Sequence, residues 1–292
     1  EKYLDLVLEL KPSIFIMENV PGILSSVVNG ESVFSKVLKD LSNPTGLNKK
    51  DSLKYNLFPL SENDDDLFTK DNDFRINCES YGVPQSRKRV IILGIRGDLS
   101  PDQTPKLEPS LGISLEQVLM GLPSLRSGLS NRNNKKVTDT EDSWKTAVTA
   151  WEEDLLEILS PEIKNHLTYL FKTIFKKNYL NGRGGEFLKK DKIRNKKELH
   201  PILSDWIVDD QLDYHLNSES RSHMVGDLRR YIFNSAFAEI KGKAPLLKDY
   251  PEKLLPNHKS RKSGHQDRFR TLLGNKPSST VTSHISKDGH AF

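Results

Sequence analysis

The hydrophobic pattern at the start of the chain predicts a helix followed by a buried strand. Residues 2–10 carry apolar side chains at helical spacing, and the Lys-Pro-Ser segment at 11–13 ends that helix. The run Ile-Phe-Ile-Met at 14–17 has no polar position, which is typical of a strand buried on both faces. It leads directly into Glu18, before a Pro-Gly turn. We therefore expect Glu18 at the carboxyl end of a strand, where open α/β sheets bind their ligands.

A second apolar run, at residues 90–95, predicts another buried strand. Arg87 and Arg89 precede it, and because they are two residues apart, both side chains project from the same side of an extended segment. Such cations either face water or need a polar or anionic partner. Glu18 ends its strand while the arginines begin theirs. They can therefore share one sheet edge only if the two strands run antiparallel.

The rest of the chain has mainly helical patterns. They predict helices at about 32–41 and 114–122, and a helix-rich region in which Trp144 and Trp151 occupy core positions. The net charge of +4 is weakly basic, so only its distribution could indicate nucleic acid. A single cysteine, Cys78, excludes a disulfide framework. No apolar run reaches the length of a membrane span.

Two segments together resemble the cytosine-C5 DNA methyltransferase family. They are Glu-Asn-Val at 18–20 and Gly-Val-Pro-Gln-Ser-Arg-Lys-Arg at 82–89, which occur in the family's order and spacing. Residues 277–282 resemble the segment ahead of the family's ninth motif. The implied fold class is α/β: a partial Rossmann-like methyltransferase sheet followed by a helix-rich target-recognition domain. We assign residues 1–123 to the C-terminal half of the catalytic domain and 124–292 to target recognition.

The resemblance implies a role for each matching residue. Glu18 would contact N3 and the exocyclic amine of a cytosine flipped out of the duplex, and would supply a proton or a short hydrogen bond there. Arg89 would donate to the cytosine O2. Arg87 completes the implied catalytic set with Glu18 and Arg89, and together with Gln85 it would hold the pocket and the backbone around it. Asn19 and Val20 would shape the pocket.

Two of the family's motifs do not occur in this sequence. There is no Pro-Cys-Gln loop to supply the nucleophile and no Phe-x-Gly-x-Gly turn to bind S-adenosylmethionine. Cys78 follows Glu18 in a segment typical of a small buried cysteine, and the glycine cluster at 182–185 does not join a strand to a helix. We therefore expect this chain to be inactive alone and to need a missing N-terminal half or a complementary subunit.

Basic segments supply the candidates for DNA contact. Residues 172–198 contain ten Lys or Arg against three acids, which suits phosphate contacts, although a solvated surface would have the same composition. The predicted DNA-binding residues are Arg183, Lys189, Lys190, Arg221, His223, Arg261, Lys262 and Thr280. Arg221 and His223 could instead cap a helix. The histidines at 258 and 265 lack the spacing of a zinc site, so we predict no metal.

The sequence therefore predicts a fragment of a DNA (cytosine-5-)-methyltransferase. By the resemblance, it would transfer a methyl group from S-adenosylmethionine to C5 of a flipped cytosine in duplex DNA, in a restriction-modification or related system. We expect it in the bacterial cytoplasm, at the nucleoid, without a membrane partner. The alternative is a non-catalytic DNA-binding module or the target-recognition subunit of a split methyltransferase.

Overall fold

The computed structural model describes residues 2–46, 53–61, 70–99, 105–130, 138–177, 182–189, 199–255 and 271–280. Within these ranges the chain is mixed α/β, as predicted. It divides into two compact units, Glu1–Ile113 and Ser114–Phe292. The division precedes the boundary predicted after residue 123, and the functions assigned to the two parts stay predictions. No helix within the described ranges is long and apolar enough to cross a membrane.

The first unit combines two helices with short and long strands. In chain order these are α1 (Lys2–Leu10), β1 (Ile14–Asn19), β2 (Val27–Val28), β3 (Glu31–Ser32), α2 (Val33–Ser42), β4 (Tyr55–Phe58), β5 (Arg75–Asn77), β6 (Gln85–Ser86) and β7 (Lys88–Arg96).

The main sheet of this unit is organised around β7. Strand β1 pairs with it antiparallel, from Ile14 opposite Ile95 to Asn19 opposite Val90. Strands β4 and β5 pair antiparallel with two different stretches of β7. The antiparallel arrangement predicted for the two apolar runs is therefore confirmed. Since β1 and β4 both run opposite to β7, they are parallel to each other.

Helices α1 and α2 cover one face of this sheet. Their buried side chains, Val7, Phe34 and Leu41, form a core with Phe15 and other inward-facing strand residues. Ser32 caps α2 by accepting a hydrogen bond from the Ser35 backbone N–H, 3.3 Å away, which satisfies a donor that the first turn leaves open.

The prediction that residues 14–17 are buried on both faces was wrong. Phe15 is buried, but Ile14 and Ile16 are 57% and 62% exposed. These side chains alternate between the two faces of β1, and the described residues cover only the face that carries Phe15. The central strand β7 matches its prediction, with residues 92–95 all buried.

The second unit is mainly helical. Its elements are α3 (Leu115–Leu119), β8 (Gly128–Leu129), α4 (Glu141–Thr149), α5 (Glu153–Glu157), α6 (Pro161–Lys176), β9 (Phe187–Lys189), α7 (Pro201–Ile207), β10 (Tyr214–Leu216), β11 (Ser222–His223), α8 (Val225–Lys241) and β12 (Ser278–Ser279). Strands β9 and β10 form an antiparallel ribbon, and β8 pairs parallel with β11.

The core of the second unit lies between α4, α6 and α8. Trp144 and Trp151 are buried in it, so their prediction as core residues is confirmed. One polar side chain, Asn234, is fully buried there and accepts a hydrogen bond from the Tyr250 hydroxyl. Burial raises the pKa of Tyr250 well above its ordinary value, so this hydroxyl remains a donor at any physiological pH.

A glycine at position 94 is required by the packing of β1 on β7. Gly94 lies opposite Phe15, and a Cβ added at Gly94 would overlap the Phe15 ring. That ring cannot move freely, because it packs edge-on against Tyr3 and Tyr55, with ring centroids 6.0 and 5.0 Å away. We predict that Gly94→Ala lowers the free energy of unfolding by about 1–3 kcal/mol, the usual cost of overpacking a core.

Urea unfolding followed by circular dichroism would measure this effect. Gly22→Ala is the matched control, since Gly22 has open space around its Cβ position and no positive φ. Equal stability of the two variants would contradict the packing constraint.

Candidate functional site

The ends of β1 and β7 bring Glu18 and Arg89 together. Glu18 lies opposite Ile91 in the antiparallel register, and Arg89 is two residues from Ile91 on the same face of β7. Side chains in this diagonal relation are within reach of each other when they are long. The Glu18 carboxylate and the Arg89 guanidinium accordingly form an ion pair, through Oε1 and Nε.

The geometry of this pair leaves polar atoms of both residues unused. Arg89 is 16% exposed and Glu18 is 50% exposed. Nη1 of Arg89 donates to the Lys88 carbonyl, 2.8 Å away. Nε lies beside the carboxylate but is not aligned to donate a hydrogen bond to it. Among the described residues, neither Nη2 of Arg89 nor Oε2 of Glu18 has a hydrogen-bond partner.

The neighbouring motif residues hold the backbone rather than the ion pair. The Asn19 side chain accepts a hydrogen bond from the Val20 N–H at 2.8 Å, which fixes the turn after β1. The Arg87 carbonyl accepts from the Cys78 N–H at 2.9 Å, and Gln85 lies in β6. The structure thus places Glu18 and Arg89 in contact, but shows no hydrogen bond or ion pair from the side chains of Arg87 and Gln85 to Glu18.

Cys78 has the environment of an unreactive thiol. It is partly buried, and burial raises the pKa of the Cys78 thiol. The neighbouring Glu79 carboxylate raises it further, while Arg87 and Arg89 oppose the shift without cancelling it. A nucleophilic cysteine needs the opposite shift.

Arg183 and the glycines around it have internal partners. Nη2 of Arg183 donates to the Ser220 carbonyl at 2.8 Å, and the guanidinium lies 3.6 Å from the Asp139 carboxylate. Gly184 has a φ of +78°, and an added Cβ would overlap the Ser218 carbonyl oxygen. These contacts give the Gly-Arg-Gly-Gly loop a role in local folding, and its predicted phosphate contact stays a prediction.

The other predicted DNA-binding residues are scattered. Lys189 ends β9 at an exposed position, and Arg221 is exposed ahead of β11. The His223 ring packs edge-on against Tyr231, with centroids 5.3 Å apart. Burial lowers the pKa of His223, so the ring is uncharged at neutral pH. Thr280 is partly buried. Three further candidates lie outside the described residues: Lys190, Arg261 and Lys262.

Sequence reasoning missed two features. Arg126 is buried and forms a 2.6 Å ion pair with Asp139, and only tertiary structure reveals this pairing. Residues 27–32 form a tight β2–β3 hairpin whose two central residues, Asn29 and Gly30, have φ values of +54° and +82°. An Asn-Gly pair between two short segments that can form strands is a strong signal for a hairpin, so the sequence could have predicted the β2–β3 hairpin.

No cluster of three or more His, Cys, Asp or Glu side chains within the described ranges could hold a metal ion. The histidines at 258 and 265 lie outside those ranges.

Most of the sequence matches one protein family. The family model for C-5 cytosine-specific DNA methylases matches residues 73–275, more than half of the sequence. The chain belongs to this family. Gln85, Arg87 and Arg89 lie inside the matched range, whereas Glu18 precedes it.

Curated relatives are type II methyltransferases by name. M.MthTI of Methanothermobacter thermautotrophicus is 31% identical over 134 residues, covering 45% of this chain and 33% of the relative. A protein of Oceanobacillus iheyensis, provisionally named as the type II methyltransferase M.OihORF3336P, is 23% identical over 310 residues, covering 100% of this chain and 59% of the relative. The chain therefore spans between a third and three fifths of the length of these relatives.

A solved structure also matches part of the chain. It is a crystal structure of a provisionally assigned DNA modification methyltransferase from an E. coli prophage, 23% identical, covering 50% of this chain and 37% of that one, with a TM-score of 0.28. That score is too low to support a statement about the fold.

The raised pKa of Cys78 gives a direct prediction. At pH values below its folded pKa, the native thiol has a smaller thiolate fraction than an unperturbed cysteine, and only the thiolate is alkylated. Iodoacetamide should therefore modify Cys78 more slowly in the native chain than in the urea-unfolded chain near neutral pH. The difference between the two alkylation rates should become smaller as the pH rises through the pKa of Cys78 in the folded chain.

Mass spectrometry of timed samples would measure the two rates, and Cys78→Ala would show the background. Faster alkylation of the native chain at neutral pH would indicate an activated thiol, contrary to this prediction.

Proposed function

We propose that this chain is the part of a cytosine-C5 DNA methyltransferase that holds the target cytosine and recognises the surrounding DNA. In the complete enzyme, a methyl group is transferred from S-adenosylmethionine to C5 of a cytosine flipped out of duplex DNA. The names of the relatives favour a restriction-modification setting, and the chain would act at the bacterial nucleoid in the cytoplasm. The contact between Glu18 and Arg89 is the single observation that carries this proposal.

The two side chains match the hydrogen-bonding edge of cytosine. That edge presents an acceptor at O2, an acceptor at N3 and a donor at the 4-amino group. Arg89 has Nη2 available to donate to O2. A protonated Glu18 can donate to N3 through its hydroxyl and accept from the 4-amino group through its carbonyl oxygen. Thymine presents the reverse pattern, a donor at N3 and an acceptor at O4, so both contacts would place like groups together and the pair selects cytosine.

Glu18 would also assist the chemistry. Addition of a thiolate at C6 pushes electron density towards N3, and a carboxylic acid at N3 can donate a proton as that charge develops. Asn19 and Val20 would fix the turn that carries Glu18. Gln85 and Arg87 would hold the backbone that presents Arg89.

The main sheet would form one part of an α/β methyltransferase domain. Every described pairing in it is antiparallel, with β7 between β1 and β4, so the parallel neighbours of a Rossmann-like sheet would have to come from the rest of the enzyme. Ile14, Ile16 and Glu18 project from the same face of β1. A covering layer from the rest of the enzyme would bury the two isoleucines and close the pocket over Glu18.

The residues present do not fit a site for S-adenosylmethionine. The glycine cluster at 182–185 leads into strand β9 and does not join a strand to a helix, and the Ser218 carbonyl oxygen occupies the space beside Gly184. Cys78 has a raised pKa. The cofactor site and the nucleophile would therefore come from another part of the complete enzyme or from a complementary subunit.

The charge distribution supports DNA recognition by the second unit. Residues 114–292 contain 30 Lys and Arg against 23 Asp and Glu, a net charge of +7. Residues 1–113 contain 14 against 17, a net charge of −3. Concentrating positive charge in one unit favours its contact with the phosphate backbone. This is the pattern expected if the second unit is the target-recognition domain.

Reconstitution tests the proposal. The chain would be mixed with a complementary piece that carries a Pro-Cys-Gln loop and a site for S-adenosylmethionine, and transfer of labelled methyl groups to duplex DNA would be measured. We predict transfer by the wild-type mixture and a loss of about 10²- to 10⁴-fold with Glu18→Gln, the range for removing a general acid.

Glu31→Gln is the control, because Glu31 is an exposed glutamate of the β2–β3 hairpin. An unimpaired Glu18→Gln mixture would remove the proton-donor role. Salt-dependent DNA binding without any methyl transfer would instead favour the non-catalytic recognition module.

A further inference from the structure

The β9–β10 ribbon has an apolar face directed to solvent. Leu216 lies opposite Phe187 and Tyr214 lies opposite Lys189, so these four side chains share one face. Phe187, Tyr214 and Leu216 are 64%, 45% and 47% exposed, and Lys189 is also exposed. Leu188 and His215 occupy the opposite, partly buried face. A ribbon with one solvated face normally has polar side chains there, so this face indicates an interaction site.

The base of the ribbon is held rigidly. The Asn217 N–H donates to the Glu186 carbonyl at 2.8 Å, and the Ser218 N–H donates to the Gly185 carbonyl at 2.9 Å. The pairing therefore continues beyond the two strands, and the left-handed Gly184 allows the close approach of Ser218. A preorganised surface loses little conformational entropy when it binds. The Phe187 and Tyr214 rings support each other as well, edge-on at 6.3 Å.

Shape and charge together favour duplex DNA as the partner of this face. The major groove of B-DNA admits a two-stranded ribbon. In this groove thymine presents its C5-methyl group, which apolar side chains can contact. The second unit has a net charge of +7 against −3 for the first, and Lys189 lies on the exposed face itself. Three aspartates, at 209, 210 and 213, precede β10, so the phosphate contact must come from the β9 side of the ribbon.

We propose that the β9–β10 ribbon enters the major groove of the target DNA and reads thymine methyl groups with Phe187 and Leu216, while Lys189 contacts a phosphate. This rests on the proposed function, because it takes duplex DNA as the partner. It adds the residues that distinguish one target sequence from another and the chemical group they recognise.

The test replaces thymidine by deoxyuridine in the duplex, which removes only the C5-methyl group of the base. Short duplexes enriched by repeated selection on the wild-type chain would be prepared with thymidine or with deoxyuridine, and binding would be measured by fluorescence anisotropy at several salt concentrations. The wild-type chain should bind the deoxyuridine duplex about fourfold more weakly for each contacted methyl group. Phe187→Ala and Leu216→Ala should reduce this discrimination.

Two further variants separate the apolar and charged contacts. Lys189→Gln should keep the discrimination but reduce the slope of log K against log salt by about 0.9, the value for one phosphate contact. Tyr169→Ala is the matched control, since Tyr169 is an exposed aromatic residue of α6, and it should change neither quantity. Circular dichroism would confirm that each variant is folded.

The outcomes distinguish the possible failures. If the wild-type chain binds both duplexes equally, or if Phe187→Ala discriminates like the wild type, the ribbon assignment is overturned while DNA recognition stands. The assignment is also overturned if Phe187→Ala only converts a dimer to a monomer, which would make the ribbon a self-association surface. Absence of any DNA binding by the wild-type chain would overturn the proposed function itself.

Discussion

The pairing of β1 with β7 is the interaction on which the candidate site depends. The Arg96 N–H donates to the Ser13 carbonyl at 3.0 Å and continues the antiparallel ladder one residue beyond Ile14. A slip of one residue would turn Glu18 to the opposite face of the sheet and separate it from Arg89. Phe15 and Gly94 oppose such a slip, because the Phe15 ring fits only opposite a residue without a side chain. The packing of the core therefore fixes the position of the polar pair at the sheet edge.

The second unit uses its charged residues in two different ways. Arg126 and Arg183 both approach Asp139, inside or at the margin of the fold, and so support the loops that precede the β9–β10 ribbon. Lys189 is exposed at the end of a strand. A basic residue with a nearby carboxylate partner therefore stabilises the fold, whereas an exposed basic residue without one is available to bind a phosphate.

Local sequence predicted much of the fold. The bounds of α1, the buried β7 and the core positions of Trp144 and Trp151 follow from periodicity and apolar runs, which depend on neighbouring residues only. The antiparallel direction of β1 and β7 followed from requiring Glu18 and Arg89 to meet. Exposure of Ile14 and Ile16 could not be predicted, because burial depends on which layers cover a strand. The contacts of Arg183 with Asp139 and Ser220 could not be predicted either, since both partners are distant from Arg183 in sequence.

The outer edge of β1 has a further consequence for the behaviour of the chain in solution. Because Ser13 and Phe15 direct their backbone groups towards β7, Ile14, Ile16 and Glu18 direct theirs away from it. The Tyr3 hydroxyl donates to the Ile16 carbonyl at 3.1 Å and so occupies one acceptor of that edge. No described strand pairs with this edge, and an unpaired edge next to exposed isoleucines favours strand-to-strand aggregation. Tyr3 thus opposes this aggregation in part, because a strand that paired with β1 at Ile16 would have to displace the Tyr3 hydroxyl.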